Sequence, residues 1–231
     1  MLKKTLGAVA TFIALGSILS ASVQATAVEG FDNTQHSLTE PNSPWVLVNK
    51  KNPLKPKNYV PKNLVVVAKN NPSGLRLAKP AADAFITMID AAKKAGAGKI
   101  SVASGYRSYS RQVAIHDADV RKFGLIAGEK LAARPGFSEH QTGLAVDIYE
   151  LSQGCRIRVC FGATKAGTWV RKNAWQYGFI VRYPDGSYLT TGYQYEPWHL
   201  RYVGIELATE LHGQGVTILE KYWNYPAAPK Y

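Results

Sequence analysis

Two short runs of this chain hold residues able to build a hydrolytic metal centre. His140 and Asp147 lie in Ser-Glu-His-Gln-Thr-Gly-Leu-Ala-Val-Asp (138–147), and Glu196 and His199 in Glu-Pro-Trp-His (196–199). A catalytic zinc needs three protein ligands from His, Asp or Glu, an open position for water, and a nearby base that is not a ligand. His140, Asp147 and His199 can supply the ligands and Glu196 the base. Gly143 lets the chain bend between the first two. Glu196 and His199 would face opposite ways on a regular strand, but Pro197 favours a break that turns both toward one ion. The plainer alternative makes the histidines surface or satisfied core residues and Asp147 a turn or ion-pair residue. That alternative is preferred for His36, His116 and His212, the last of which sits near a helix end that favours a cation. Other chemistries lack their patterns: there is no Gly-x-Ser-x-Gly elbow, Ser-x-x-Lys, Walker A loop or dinucleotide fingerprint.

The elements around these runs can be read from spacing. Pro80–Ala95 has apolar residues at helical intervals, with Pro80 suited to the first turn and Gly96 to the end. Ile100–Ala103 reads as a strand, and Ser108 as the cap of a helix running to about Lys122. Leu144–Tyr149 alternates, placing Ala145, Asp147 and Tyr149 on one face. Thr168 is expected to cap a helix to Tyr177, followed by a strand at Phe179–Tyr183 and a Pro184-Asp185-Gly186 turn. Leu64–Ala68 and Leu200–Val203 read as strands, and 205–213 and 216–223 as helices. Helices and short strands mix without regular βαβ alternation, so the expected class is α+β: one compact domain at 63–224, a small antiparallel sheet flanked by helices. Residues 28–62, rich in Pro, Asn and Lys, read as an extended lead docked through Trp45–Val48, and 225–231 as a loose tail.

The 231 residues carry 28 Lys+Arg against 16 Asp+Glu, a net charge of +12. The hydrophobic share of 46% excludes a disordered chain, and two cysteines are too few for a disulfide scaffold. Lys3 and Lys4, an apolar run from Leu6 to Leu19, and Ala25-Thr26-Ala27 form the pattern of a secretory signal peptide over 1–27, too short in its apolar run to span a bilayer. Cleavage would remove two lysines and leave 26 − 16 = +10. A basic exported protein meets anionic cell-wall polymers, and scattered charge gives no case for nucleic acid. In an oxidising compartment, Cys155 and Cys160 of Cys-Arg-Ile-Arg-Val-Cys are expected to pair; a metal role for them is the weaker alternative.

The two chemical runs, with Ser-Gly-Tyr-Arg-Ser-Tyr-Ser-Arg-Gln at 104–112 and the stretch from Trp45 to Leu54, resemble the zinc D-alanyl-D-alanine carboxypeptidases related to the vancomycin-resistance carboxypeptidase. The likeness runs in order over roughly 45–215. It implies one Zn2+ held by His140, Asp147 and His199, Glu196 as catalytic base, and Arg107 facing the substrate carbonyl. It also implies Gln112, Ser138 and Tyr183 as contacts to the terminal residue of a peptidoglycan stem peptide. D,D and L,D specificity stay open, as does a non-catalytic wall-binding role; oligomeric state is not specified.

Overall fold

The computed structural model describes residues 30–152 and 154–231, so the signal segment lies outside the described residues. In chain order the elements are β1 (Leu64–Val66), β2 (Arg76–Ala78), α1 (Lys79–Lys94), β3 (Ile100–Ser104), α2 (Tyr109–Phe123), α3 (Leu125–Leu131), β4 (Ala145–Glu150), α4 (Lys165–Asn173), β5 (Phe179–Val181), α5 (Tyr188–Thr191), β6 (His199–Tyr202), α6 (Ile205–Gly213) and α7 (Leu219–Tyr222). The main sheet is antiparallel in the order β3-β4-β6-β5, and β1 and β2 form a separate hairpin. This is a single α+β domain.

The core follows from the helical spacing of α1. Phe85, Met88, Ile89 and Ala92 are buried on one face and join Ile100, Val102, Val146, Ile148, Phe179 and Leu200 from the sheet. A second cluster gathers Trp45 and Leu47 of the lead against Val203, Leu207 and Leu211. Trp45 donates its indole N–H to the Val203 carbonyl at 2.9 Å, so its one polar atom is satisfied on burial.

Several boundaries differ from the sequence expectation. Thr164, not Thr168, caps α4: its hydroxyl accepts from the Gly167 N–H at 3.0 Å, and the helix gives way at Ala174–Tyr177 to a tighter turn. Only one turn forms in the 216–223 stretch, as α7. The α3 helix was not anticipated. Gly128 allows it, because a Cβ there would sit 2.9 Å from the Val120 backbone of α2. The tail is not loose. Ala228 is fully buried with its N–H on the Thr190 carbonyl, and the Tyr231 hydroxyl accepts from the Arg134 N–H at 2.7 Å. Cys155 and Cys160 form a disulfide.

Candidate metal centre

Strand pairing brings two of the predicted ligands together. Asp147 of β4 stands directly opposite His199 of β6, which puts both side chains on one face of the sheet. On its other edge, β4 meets an irregularity of β3 that sets Ser104 opposite Asp147. Ser104 accepts from the Arg107 Nε at 3.0 Å, and that guanidinium donates to Asp147 Oδ2 at 2.9 Å.

His140 comes from a single 3₁₀ turn, Glu139–Thr142, which ends at Gly143 with φ +72°. A side chain there would meet the Ala78 backbone nitrogen at 2.9 Å, so glycine serves both the left-handed turn and the close approach of the hairpin. Pro197 makes the other bend: the His199 N–H bonds the Glu196 carbonyl at 3.0 Å, closing a turn that aims both side chains at the same point.

The tautomers are fixed from behind. His140 donates Nδ1–H to the Gly105 carbonyl at 2.8 Å, leaving Nε2 at 3.2 Å from Asp147 Oδ2. His199 Nε2 faces Glu139 Oε2 at 3.3 Å, leaving Nδ1 at 3.2 Å from Asp147 Oδ1. Ligand atoms of His140, Asp147 and His199 lie within 4.8 Å of one another, all buried. Asp147 Oδ1 has no well-formed hydrogen bond. A buried carboxylate whose two oxygens each face a ring nitrogen calls for a positive centre, either a second proton on His199 or a cation. The donor set of two imidazoles and one carboxylate, with tautomers fixed by outer partners, fits zinc with a position left for water.

The protonation pattern agrees. Burial and the nearby Arg107 lower the pKa of His140, which keeps the ring neutral as a ligand must be. For His199, burial opposes the charge but the contacts to Asp147 and Glu139 outweigh it and lift the metal-free ring to about 9. A metal takes the place of that proton. Glu196 Oε2 lies 3.6 Å from His199 Nδ1, and burial pushes its pKa up to about 7, with His199 opposing and Asp147 reinforcing the rise.

The centre opens on a cleft of about 310 Å³. Ser138 and Tyr183 line it, and the Tyr183 ring packs on His199 at 4.8 Å. Gln112 does not line it. It is fully buried, and its amide supports the wall by donating to the Ala133 carbonyl at 2.8 Å. A larger cavity, about 910 Å³, runs along the lead and shares no residue with the metal centre. His36, His116 and His212 are elsewhere: His36 edges Trp45, His116 faces Asp117 and Glu129, and His212 stacks on Trp175.

Glu139 was missed by sequence reasoning. It is fully enclosed, with Arg182 Nε and Arg201 donating to it at 2.8 Å each, and these cations hold its carboxyl well below the usual range against the effect of burial. Its place beside His140 was the available signal, but a glutamate in a turn reads as solvent-exposed by default. Tyr193 and Trp198, also in the cleft wall, had no distinguishing pattern.

Fold and donor set together define a zinc-dependent peptidase. The chain belongs to the VanY family of D-alanyl-D-alanine carboxypeptidases, whose profile matches residues 74–205. It is 43% identical to the Bacillus subtilis protein YodJ over 85% of this chain and 71% of that one. Among solved structures it is similar to the LdcB LD-carboxypeptidase (TM-score 0.74, 44% identity, 80% and 88% of the two chains). It is also similar to a Zn(II) complex of the vancomycin-resistance D,D-pentapeptidase VanY carrying a glutamate-to-alanine change (TM-score 0.65, 36% identity, 78% and 98% covered).

Proposed function

We propose that this protein is an exported zinc carboxypeptidase that removes the terminal D-alanine from peptidoglycan stem peptides. The observation that carries the reading is the buried Asp147 carboxylate between two tautomer-fixed imidazoles, with the Glu196 carboxylate 3.6 Å from one of them. When bound, zinc would polarise the scissile carbonyl and lower the pKa of its water toward ~7.

The chain's own residues supply the rest. Glu196, poised near neutrality, takes a proton from the attacking water and hands it to the leaving amine. Arg107 reaches the cleft anchored on Ser104 and Asp147, where a fixed cation meets charge developing on the carbonyl oxygen. Ser138 and Tyr183 face the terminal residue, and Gln112 acts on it through Ala133. Residues 1–27 serve as the export signal, and the net positive charge favours association with anionic wall polymers. Among the described residues no helix is long and apolar enough to cross a membrane.

The likeness to LdcB supports a second reading, L,D cleavage of a tetrapeptide stem. Incubation with defined penta- and tetrapeptide muropeptides, followed by mass spectrometry with and without a chelator, separates the two. Loss of one alanine from the pentapeptide, abolished by chelation and restored by zinc, is expected. Loss from the tetrapeptide alone selects the L,D reading, and binding with no release, or release indifferent to chelation, overturns both.

A further inference from the structure

The α2–α3 hairpin is built unlike the rest of the domain. Of the 15 residues of α2 only Gln112 is buried, and of the 7 of α3 only Gly128. The two helices meet through the Gly128 backbone against Val120, and neither buries an apolar side chain. At the tip the apolar side chains turn outward instead. Residues 121–127, Arg-Lys-Phe-Gly-Leu-Ile-Ala, are exposed without a break. Phe123, Leu125 and Ile126 are 45%, 53% and 78% exposed. Neighbouring apolar groups held in water mark an interaction surface.

Cations surround this tip. Arg121 and Lys122 precede Phe123, and Lys122 Nζ lies 4.8 Å from the centre of its ring. Lys130, one turn beyond Ile126, lies 5.7 Å from the Tyr188 ring of α5, next to Leu189, which is 77% exposed. Arg121, Lys122 and Lys130 make no ion pair among the described residues, and no acidic residue occurs from Val120 to Gly128. Glu129, which follows, is taken by Arg134.

The pairing of exposed apolar groups with unpaired cations selects among occupants. A hydrophilic anionic polymer would meet the cations and leave Ile126 and Leu125 in water. A second copy of the same tip would set like charge against like. A bilayer with anionic headgroups satisfies both sets: the cations stay at headgroup level while the apolar side chains enter the acyl boundary. We propose that the α2–α3 tip is a peripheral docking surface for an anionic phospholipid bilayer. The hairpin also lines the metal cleft through Asp119 and Leu131. Asp119 is four residues before Phe123, about 6 Å along α2, so docking holds the cleft beside the headgroups. The proposal goes beyond the peptidase reading and does not depend on it.

The test is co-sedimentation with vesicles of phosphatidylcholine, with or without 30% phosphatidylglycerol (roughly the anionic share at which surface charge attracts basic segments). Protein is purified from the extracellular medium, and variants compared share one N-terminus, so residues 1–27 cannot create a difference. Binding to the anionic vesicles is expected, weakening as salt rises. Arg121→Gln with Lys122→Gln should reduce it about 25-fold, at roughly fivefold per cation. Leu125→Ser with Ile126→Ser should reduce it by about 10-fold or more at unchanged Tm, since both side chains already face water. Absence of vesicle binding, equal binding to neutral vesicles, or full binding by the serine variant overturns the proposal. So does a dimer in sedimentation velocity that the serine changes disperse, which would make the tip a contact between copies. Retention on soluble polyglycerol phosphate as tight as on vesicles, and equally weakened by the glutamine changes, would reassign the cations to a polymer and overturn the bilayer as occupant.

Discussion

The two sides of the His199 ring are built on opposite rules. Behind it, Glu139, Arg182, Arg201 and Glu220 form a closed lattice. Arg182 spreads its guanidinium over Glu139 and both oxygens of Glu220, and Arg201 bonds Glu139 and the carbonyls of Pro44, Val46 and Tyr202. In front, Asp147 Oδ1 lacks a well-formed hydrogen bond and Glu196 is held near neutrality by burial. Buried charges in a complete network fix geometry, whereas buried groups left incomplete are the ones able to react or bind. The lattice at the back lets the front remain unsatisfied without the ring turning toward some other partner.

The comparison breaks most decisively at the front. Glu196→Gln should lower activity by about 1,000-fold, within the range for a general acid–base, while zinc content by atomic absorption stays stoichiometric. Activity near normal would show that the front is not the reacting side. The back is predicted to matter through the metal. Glu139→Gln keeps the shape but weakens the acceptor for His199 Nε2–H, and should loosen zinc by about 10–100-fold in a competitive chelator titration. Partial recovery of activity at high zinc would separate this from unfolding.

A smaller effect sharpens the contrast in the metal-free protein. The folded pKa of Glu196, about 7, exceeds its unfolded value, so its folded state holds the proton where the unfolded state has lost it. Stability from this group is present below about pH 4.5 and is lost as pH rises through 7. In apo-protein at pH 8, Glu196→Gln should therefore raise Tm, by about 5 °C if the relief is on the order of 2 kcal/mol, and leave it unchanged at pH 4. A Tm equal to that of the unaltered protein at pH 8 would mean that the carboxylate is not confined as described.

What the sequence disclosed follows the same division. The front was legible because zinc chemistry restricts residue types and because Gly143 and Pro197 advertise the bends that aim them. Alternation over 144–149 also placed Asp147 on its strand, although not opposite His199, which only pairing reveals. The lattice at the back was hidden because its members are scattered over Glu139, Arg182, Arg201 and Glu220, each ordinary alone. The α3 helix escaped because Gly128 reads as a breaker until Val120 is seen against it. The docking of 225–231 escaped because it depends on distant partners, Thr190 and Arg134.

The lead bears on where this molecule can be cut. Asn49 donates to Glu220, Lys50 to the Gly192 carbonyl, and the Pro44 and Val46 carbonyls receive Arg201. A piece beginning at Asn63 would keep His140, Asp147, His199 and Glu196, yet strip Arg201 of two acceptors and the Trp45 contacts. Residues 44–50 are therefore part of the packed domain although they precede the first strand, and removing them is expected to loosen the lattice behind His199.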